Sequence, residues 1–184
     1  MDENIERILG AIRALSDQQR QQLLRRLVQE HGLPAPPSLP LEFKVAPLEG
    51  QANYVVVFDG GSQGNPGPGY GSYHLTRTSD DRSDLVRLDF GRDMTNNEAE
   101  YQTLMAALEG LTDRIHAAGQ DPGEFTVEIQ GDSALVLHQV EGDWKAKDDR
   151  MRALRNRVRE LLARFKGHRL VLREREEIVQ VLGH

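Results

Sequence analysis

Three carboxylates that are far apart along the chain each lie in a segment whose residue types suit metal chemistry. Asp59 follows the apolar run 54–58, Asp132 comes shortly after the apolar run 125–129, and Glu100 falls in a helical pattern. If the fold brought these side chains together, they would repel one another strongly unless a cation neutralised them. The sequence therefore predicts a metal site made of oxygen ligands.

Each carboxylate also has an ordinary structural interpretation. Asp59 precedes two glycines and could be a turn residue, and Asp132 precedes Ser133 and could be the N-cap of the next helix. Two glutamates in the helical segment, Glu98 and Glu100, are both candidates for the third carboxylate of the metal site. The chain contains no cysteine, which excludes a thiolate metal site and a disulfide framework.

The arrangement of these segments resembles the type-1 ribonuclease H family from about Asn53 to the C-terminus. The likeness lies in three segments that occur in the family's order: Asp59-Gly60-Gly61-Ser62-Gln63-Gly64-Asn65-Pro66-Gly67, Thr95-Asn96-Asn97-Glu98-Ala99-Glu100 and Gly131-Asp132-Ser133. The resemblance implies that Asp59, Glu100 and Asp132 are metal ligands and selects Glu100 over Glu98. It implies two Mg²⁺ ions, with Mn²⁺ as an alternative, and hard ions of this kind prefer oxygen ligands.

The same resemblance implies a substrate and a reaction. We expect an endonuclease that hydrolyses the RNA strand of an RNA/DNA hybrid by two-metal-ion catalysis and leaves 5′-phosphate and 3′-hydroxyl ends. Recognition of RNA requires contacts to the 2′-hydroxyl in the shallow minor groove. The family positions for this task correspond to Gly61, Ser62, Asn65, Asn96 and Asn97. Lys145 and Lys147 match the family segment that contacts the DNA strand.

The C-terminus departs from the family pattern, which ends in Arg-Glu-x-Asn-x-x-Ala-Asp and supplies a fourth carboxylate. Alignment on Arg173-Glu174 places Gln180 where that Asp belongs. A second register places His184 there, and a third candidate is Glu176 or Glu177 at the start of the last helix. We include His184 among the predicted metal ligands, because an imidazole also binds divalent ions. The alternative is that His184 is only a frayed terminal residue.

Periodicity predicts the elements that must position these residues. Apolar runs indicate strands, and apolar residues spaced three and four apart indicate helices. The order of these elements matches the ribonuclease H fold, so the resemblance implies that the fold class is α/β, a ribonuclease H-like mixed five-stranded sheet flanked by helices. The predicted strands are 54–58, 70–78, 84–90, 125–129 and 169–172, and the predicted helices are 98–111, 133–140, 150–166 and 176–182.

A separate N-terminal part precedes this domain. Residues 1–33 predict a small helical hairpin, 34–52 a Pro-rich linker, and 53–184 the ribonuclease H-like domain. The hairpin lacks a strong nucleic-acid signal, and packing or self-association is its preferred role. We expect a monomer, with self-association through the hairpin as the alternative.

The net charge of −6 hides a basic segment. Between Trp144 and Glu176 there are twelve Lys/Arg and five Asp/Glu. A local basic surface matters more for nucleic-acid binding than the total charge, although most charge runs are solvated helix faces.

No run of 18 apolar residues and no signal-peptide pattern occurs, so we expect a cytoplasmic protein without a membrane partner. An alternative function is a weakly or non-catalytic hybrid-binding module with an altered fourth metal ligand. A further alternative is nuclease action on another substrate, since fold alone does not fix function.

Overall fold

The computed structural model describes residue 48 and residues 50–183. The predicted hairpin (1–33), most of the predicted linker (34–52) and His184 lie outside the described residues, so these domain boundaries stay predictions. Within the described part, none of the helices has both the length and the apolar character needed to cross a membrane. The cytoplasmic location also stays a prediction.

The described residues form a mixed five-stranded sheet with helices on both faces, which confirms the predicted fold class. The strand order is β3-β2-β1-β4-β5. The pairs β1–β2 and β2–β3 are antiparallel, whereas β1–β4 and β4–β5 are parallel. In chain order the elements are β1 (Tyr54–Ser62), β2 (Gly67–Arg77), β3 (Arg82–Met94), α1 (Asn96–Ala117), a 3₁₀ turn (Pro122–Glu124), β4 (Thr126–Gly131), α2 (Ala134–Glu141), α3 (Asp149–Leu162), β5 (Gly167–Leu172) and α4 (Arg175–Leu182).

Apolar side chains divide between the two faces of the sheet. Alternate residues of β1, Val56 and Phe58, are buried in the main core with the apolar faces of α1, α2 and α3. The intervening residues, Val55 and Val57, pack on the other face against Ile178 and Leu182 of α4. The position of α4 is therefore fixed by β1, the strand that carries Asp59.

The sequence prediction placed Asp59 at the end of its strand, and the structure corrects this. β1 continues to Ser62 because it stays paired with β2, with Asp59 opposite Ser72. The parallel pairing of β1 with β4 ends earlier, at Val57 and Gln130. Asp59 thus lies inside β1, just beyond the point where β1 and β4 separate.

A glycine beside Asp59 explains how α1 reaches the sheet. A Cβ atom on Gly60 would lie 2.5 Å from the carbonyl oxygen of Ala99 in the first turns of α1. Real Cβ atoms do not approach so closely, so any other residue would push the helix away. Gly60 thus admits the helix that carries Glu100.

Candidate active site

Three carboxylates from three elements meet at one edge of the sheet. Asp59 comes from β1, Glu100 from the first turns of α1, and Asp132 from the residue after β4. Each offers one oxygen, and these oxygens all lie within 4.8 Å of one another. Asp59 is buried and the other two are half-buried. The structure thus brings together the three carboxylates that the sequence singled out, and their role as metal ligands remains a proposal.

The electrostatics of Glu100 fit a cation site. Burial, with smaller contributions from the charges of Asp132 and Asp59, raises the pKa of Glu100 to about 7. A hydrogen bond from the Ser133 hydroxyl to Glu100 and the positive charge of Arg175 oppose that rise. A divalent cation would favour the charged form of all three carboxylates at once.

Glu98, the competing glutamate, has a structural role. Its Oε2 accepts hydrogen bonds of 2.8 Å from both the backbone N–H and the hydroxyl of Thr95, and this capping box begins α1. Its Oε1 pairs with Nη1 of Arg150 at 2.9 Å. Glu98 is not among the grouped carboxylates, which supports the choice of Glu100.

A cation of the protein itself lies at the carboxylates. Nη1 of Arg175, the first residue of α4, donates a hydrogen bond of 2.9 Å to Oδ2 of Asp132. The charges of Asp59 and Asp132 raise the pKa of Arg175 above its usual range. The sequence does not single out Arg175, because no residue type in its neighbourhood marks it as different from the other arginines of the basic segment.

None of the acidic candidates for a fourth ligand joins this group within the described residues. Glu177 accepts a hydrogen bond of 3.3 Å from the backbone N–H of Glu174 and lies 4.0 Å from Nη1 of Arg173, so it closes the capping box of α4. Glu176 is exposed and is not among the grouped carboxylates. Gln180 is exposed and lines a shallow cleft with Val57, two residues before Asp59. His184 lies outside the described residues.

Comparison with known proteins identifies the family. A family model described as "Reverse transcriptase-like" matches residues 57–181. The ribonuclease HI of Halobacterium salinarum is 41% identical over 112 residues, which cover 59% of this chain and 50% of that protein. The crystal structure of RNase H1 from Halobacterium salinarum superimposes with a TM-score of 0.58 at 33% identity, covering 70% of this chain and 90% of that one.

The chain belongs to the type-1 ribonuclease H family. A bifunctional protein of Mycobacterium tuberculosis is also similar, with 36% identity over 118 residues that cover 61% of this chain and 29% of that protein. The chain thus matches half or less of the length of these curated relatives.

The ribonuclease H positions predicted to contact substrate form a network next to the carboxylates. Oδ1 of Asn96 accepts hydrogen bonds from the backbone N–H of Ser62 at 2.9 Å and from its hydroxyl at 2.8 Å. Oδ1 of Asn65 accepts one of 3.2 Å from the backbone N–H of Asn96. The β1–β2 loop is therefore tied to the start of α1. No described residue accepts a hydrogen bond from the side-chain amide of Asn96, so its donors can serve a ligand.

Two further predicted substrate positions have different surroundings. Asn97 is exposed at the start of α1, beside this network. A Cβ atom on Gly61 would lie 2.7 Å from the hydroxyl of Tyr70, but the Tyr70 side chain is 45% exposed and its end can move aside. Packing therefore does not by itself require a glycine at position 61, and the substrate contact of Gly61 stays a prediction.

Lys145 and Lys147 lie on a short segment between α2 and α3. Both are exposed, whereas Ala146 between them is buried. Nη1 of Arg152 donates to the carbonyl of Lys147 at 3.2 Å, which helps to hold the segment on the domain. This anchoring directs both ammonium groups to the surface, as a role in phosphate binding requires.

Most arginines of the basic segment form ion pairs or hydrogen bonds with other residues of the protein. Three pair with carboxylates on α1 or α3, and a fourth, Arg159, donates to the carbonyl of Val140 at 2.7 Å. The three pairs are Arg150 with Glu98, Arg152 with Asp149, and Arg157 with Glu109. These contacts reduce the free positive charge, so the two lysines become the stronger candidates for a nucleic-acid contact.

Proposed function

We propose that the protein is an endonuclease that hydrolyses the RNA strand of RNA/DNA hybrids with the help of divalent metal ions. The observation that carries this proposal is the convergence of Asp59, Glu100 and Asp132, whose oxygens lie within 4.8 Å of one another. Water would add to phosphorus and the bond from phosphorus to the 3′-oxygen would break. The products would then carry 3′-hydroxyl and 5′-phosphate ends.

The donor set fits a hard divalent cation such as Mg²⁺ or Mn²⁺. Its three carboxylate oxygens from three elements and its partial burial suit such a cation. A bound ion would activate water and stabilise charge on the phosphate. The chain's own residues hold and orient the group, with the Ser133 hydroxyl donating to Glu100. Two ions, as the family resemblance predicts, would need a further ligand such as His184 or Gln180.

The choice of RNA would come from donors beside the carboxylates. The network of Ser62, Asn65 and Asn96 presents amide and hydroxyl groups of the kind that read a 2′-hydroxyl in the minor groove. Lys145 and Lys147 would bind phosphates of the DNA strand and position the duplex without reading its sequence. Contacts of both kinds suit a hybrid better than a duplex of DNA alone.

Cleavage assays test the proposal directly. End-labelled hybrid, double-stranded RNA and double-stranded DNA are each incubated with the full chain in Mg²⁺, Mn²⁺ or EDTA. We expect cleavage only of the RNA strand of the hybrid, only with a divalent ion, and 5′-phosphate on the new ends. Cleavage of double-stranded DNA or RNA at a similar rate would assign another substrate. Tight hybrid binding without cleavage would favour the alternative of a non-catalytic binding module.

Isosteric variants connect that activity to the site. Asp59→Asn, Glu100→Gln and Asp132→Asn each remove one ligand charge, and we expect cleavage to fall by about 100-fold or more, as loss of a central electrostatic group commonly does. Glu98→Gln is the matched control, because Glu98 lies two residues from Glu100 and contacts Thr95 and Arg150 instead. Equal losses in Glu98→Gln and Glu100→Gln would refute the assignment of Glu100.

A further inference from the structure

Arg175 is built into the carboxylate site by α4. Its Nη1 lies 2.9 Å from Oδ2 of Asp132, and the Asp132 side chain is only 12% exposed. The helix that begins at Arg175 is fixed to β1 through Ile178 and Leu182, which are buried against Val57. The packing of α4 on β1 therefore sets the position of the Arg175 guanidinium at Asp132.

The charges of the site balance with one divalent ion. When ionised, Asp59, Glu100 and Asp132 carry three negative charges, and Arg175 neutralises one of them. A single divalent cation would neutralise the remaining two, whereas a second would leave an excess of two positive charges. Four carboxylates, the set expected from the family resemblance, would balance two divalent ions instead. The residues that the structure describes do not fit the second ion.

No other residue in the described part of the chain supplies the negative charge that a second divalent ion would need. Within residues 48 and 50–183, no further Asp, Glu or His joins the three carboxylates, and Glu177 is engaged in capping α4. The amide of Gln180 carries no charge that would offset a second cation. The positively charged group that the structure does place at Asp132 belongs to Arg175.

We propose that the Arg175 guanidinium takes the place of the second divalent ion, so that the site works with one ion and one arginine. Arginine presents five N–H donors, and Arg175 directs one of its nitrogens at Asp132. Its side chain is 66% exposed, so the remaining donors are open to a phosphate oxygen. The contact with a substrate phosphate rests on the proposed function. The replacement of the second ion by Arg175 does not require a substrate, because it follows from the charges of the protein's own residues.

The number of bound ions tests the inference without any catalysis. Mn²⁺ binding to the full chain is counted by electron paramagnetic resonance, first alone and then with an unmodified RNA/DNA hybrid in samples that are freeze-quenched before cleavage. We expect one Mn²⁺ per chain in both cases. Two ions per chain in either case, for instance through ligation by His184, would overturn the inference, as would a chain that binds none.

Arginine variants supply the second readout. In Arg175→Gln the ion no longer shares Asp132 with a positive charge, so we expect Mn²⁺ to bind about tenfold more tightly. Cleavage of hybrid should fall in the same variant, and Arg175→Lys, which restores the charge, should recover part of it. Arg173→Gln is the control, since Arg173 lies on the same segment but faces Glu177. Unchanged Mn²⁺ affinity in a folded Arg175→Gln protein would refute the role of Arg175.

The outcomes separate this inference from the proposed function. A chain that binds one Mn²⁺ and responds to Arg175→Gln but cleaves no hybrid would refute the proposed function and support the replacement of the second ion. A chain that cleaves hybrid with two bound ions would support the function and refute the inference. Thermal unfolding of each variant checks that the substitutions leave the domain folded.

Discussion

Ser133 joins two parts of the site through one hydroxyl group. Its Oγ donates a hydrogen bond to Oε2 of Glu100 and accepts one of 3.4 Å from the backbone N–H of Val136. The second contact makes Ser133 the N-cap of α2. Ser133, and not Asp132, therefore caps this helix, so the ordinary structural interpretation of Asp132 falls away and its carboxylate is left for the site.

Removal of that hydroxyl should affect stability and activity together. In Ser133→Ala we expect the free energy of unfolding to fall by about 1 kcal/mol because the N-cap is removed, and hybrid cleavage to slow because Glu100 no longer has its orienting donor. Thermal unfolding and single-turnover cleavage measure the two effects. Ser133→Thr, which keeps a hydroxyl, is the control and should retain most of both. Full cleavage by Ser133→Ala would show that Glu100 needs no such orientation.

Ion binding should depend on pH through Glu100. The pKa of Glu100 in the metal-free protein is raised to about 7, so below that pH the carboxyl group is mainly protonated. A metal ion binds the carboxylate, so protons compete with it and the apparent affinity falls as pH decreases. We expect a loss of up to about tenfold per pH unit below 7, with a plateau above it.

Calorimetric titration with Mg²⁺ between pH 5.5 and 8.5, in buffers of different ionisation enthalpy, measures this effect and the proton released on binding. Glu100→Gln should bind Mg²⁺ weakly and lose the pH dependence near neutrality. An affinity that stays constant down to pH 5.5 in the unaltered protein would contradict the prediction.

Sequence patterns and the family resemblance together predicted the architecture and the three carboxylates that converge. Apolar runs and apolar helical stripes predicted all five strands and four helices of the described domain, with ends that differ by up to six residues. Asp59 shows why the ends differ: apolar character stops at Phe58, but antiparallel pairing with β2 carries β1 on to Ser62. Hydrogen-bonded pairing needs no apolar side chain, so composition does not reveal it.

The sequence was not sufficient for the contacts between distant charges. Arg175 lies 43 residues from Asp132 in the chain, and their pairing depends on how α4 packs on β1. The same limit applies to the basic segment, where Arg150 and Arg157 find partners on α1. The charge count of a segment gives the number of its cations, and tertiary structure decides how many of them remain free.

Lys145 and Lys147 should contribute to hybrid binding and little to the chemical step. Both are exposed on a segment anchored by the buried Ala146. In Lys145→Ala/Lys147→Ala we expect weaker binding and a salt dependence whose slope falls by roughly one for each phosphate that the protein no longer binds. Fluorescence anisotropy at several salt concentrations measures the slope, and single-turnover cleavage at saturating protein measures the chemical step.

Lys166 offers a matched control for this pair. It is also exposed, but its backbone N–H bonds to the carbonyl of Phe125, just before β4 begins and thus at the opposite end of that strand from Asp132. Lys166→Ala should leave the salt slope unchanged. A slope that is unaltered in the double variant, or altered equally in Lys166→Ala, would place Lys145 and Lys147 away from the substrate.

The last prediction concerns where the active domain begins. The sequence places the start of the ribonuclease H-like domain at residue 53, but contacts within the described residues extend further back. Nη1 of Arg169 donates to the carbonyls of Leu48 at 3.4 Å and Gly50 at 3.3 Å, and Ala52 is buried. A chain starting at Leu48 keeps these contacts and is the reference for stability. One starting at Asn53 should be about 1–2 kcal/mol less stable, because it lacks these hydrogen bonds and the buried Ala52 side chain.

Both truncated chains should still cleave hybrid, because Asp59, Glu100 and Asp132 lie inside the retained domain and the contacts that orient them are unchanged. Thermal unfolding and cleavage rates at 20 °C, where both chains are folded, separate stability from activity. A chain starting at Leu48 that is well folded but inactive would show that residues 1–47 belong to the active unit. Equal stability of the two truncated chains would show that the contacts of Arg169 and Ala52 before Asn53 contribute little to the fold.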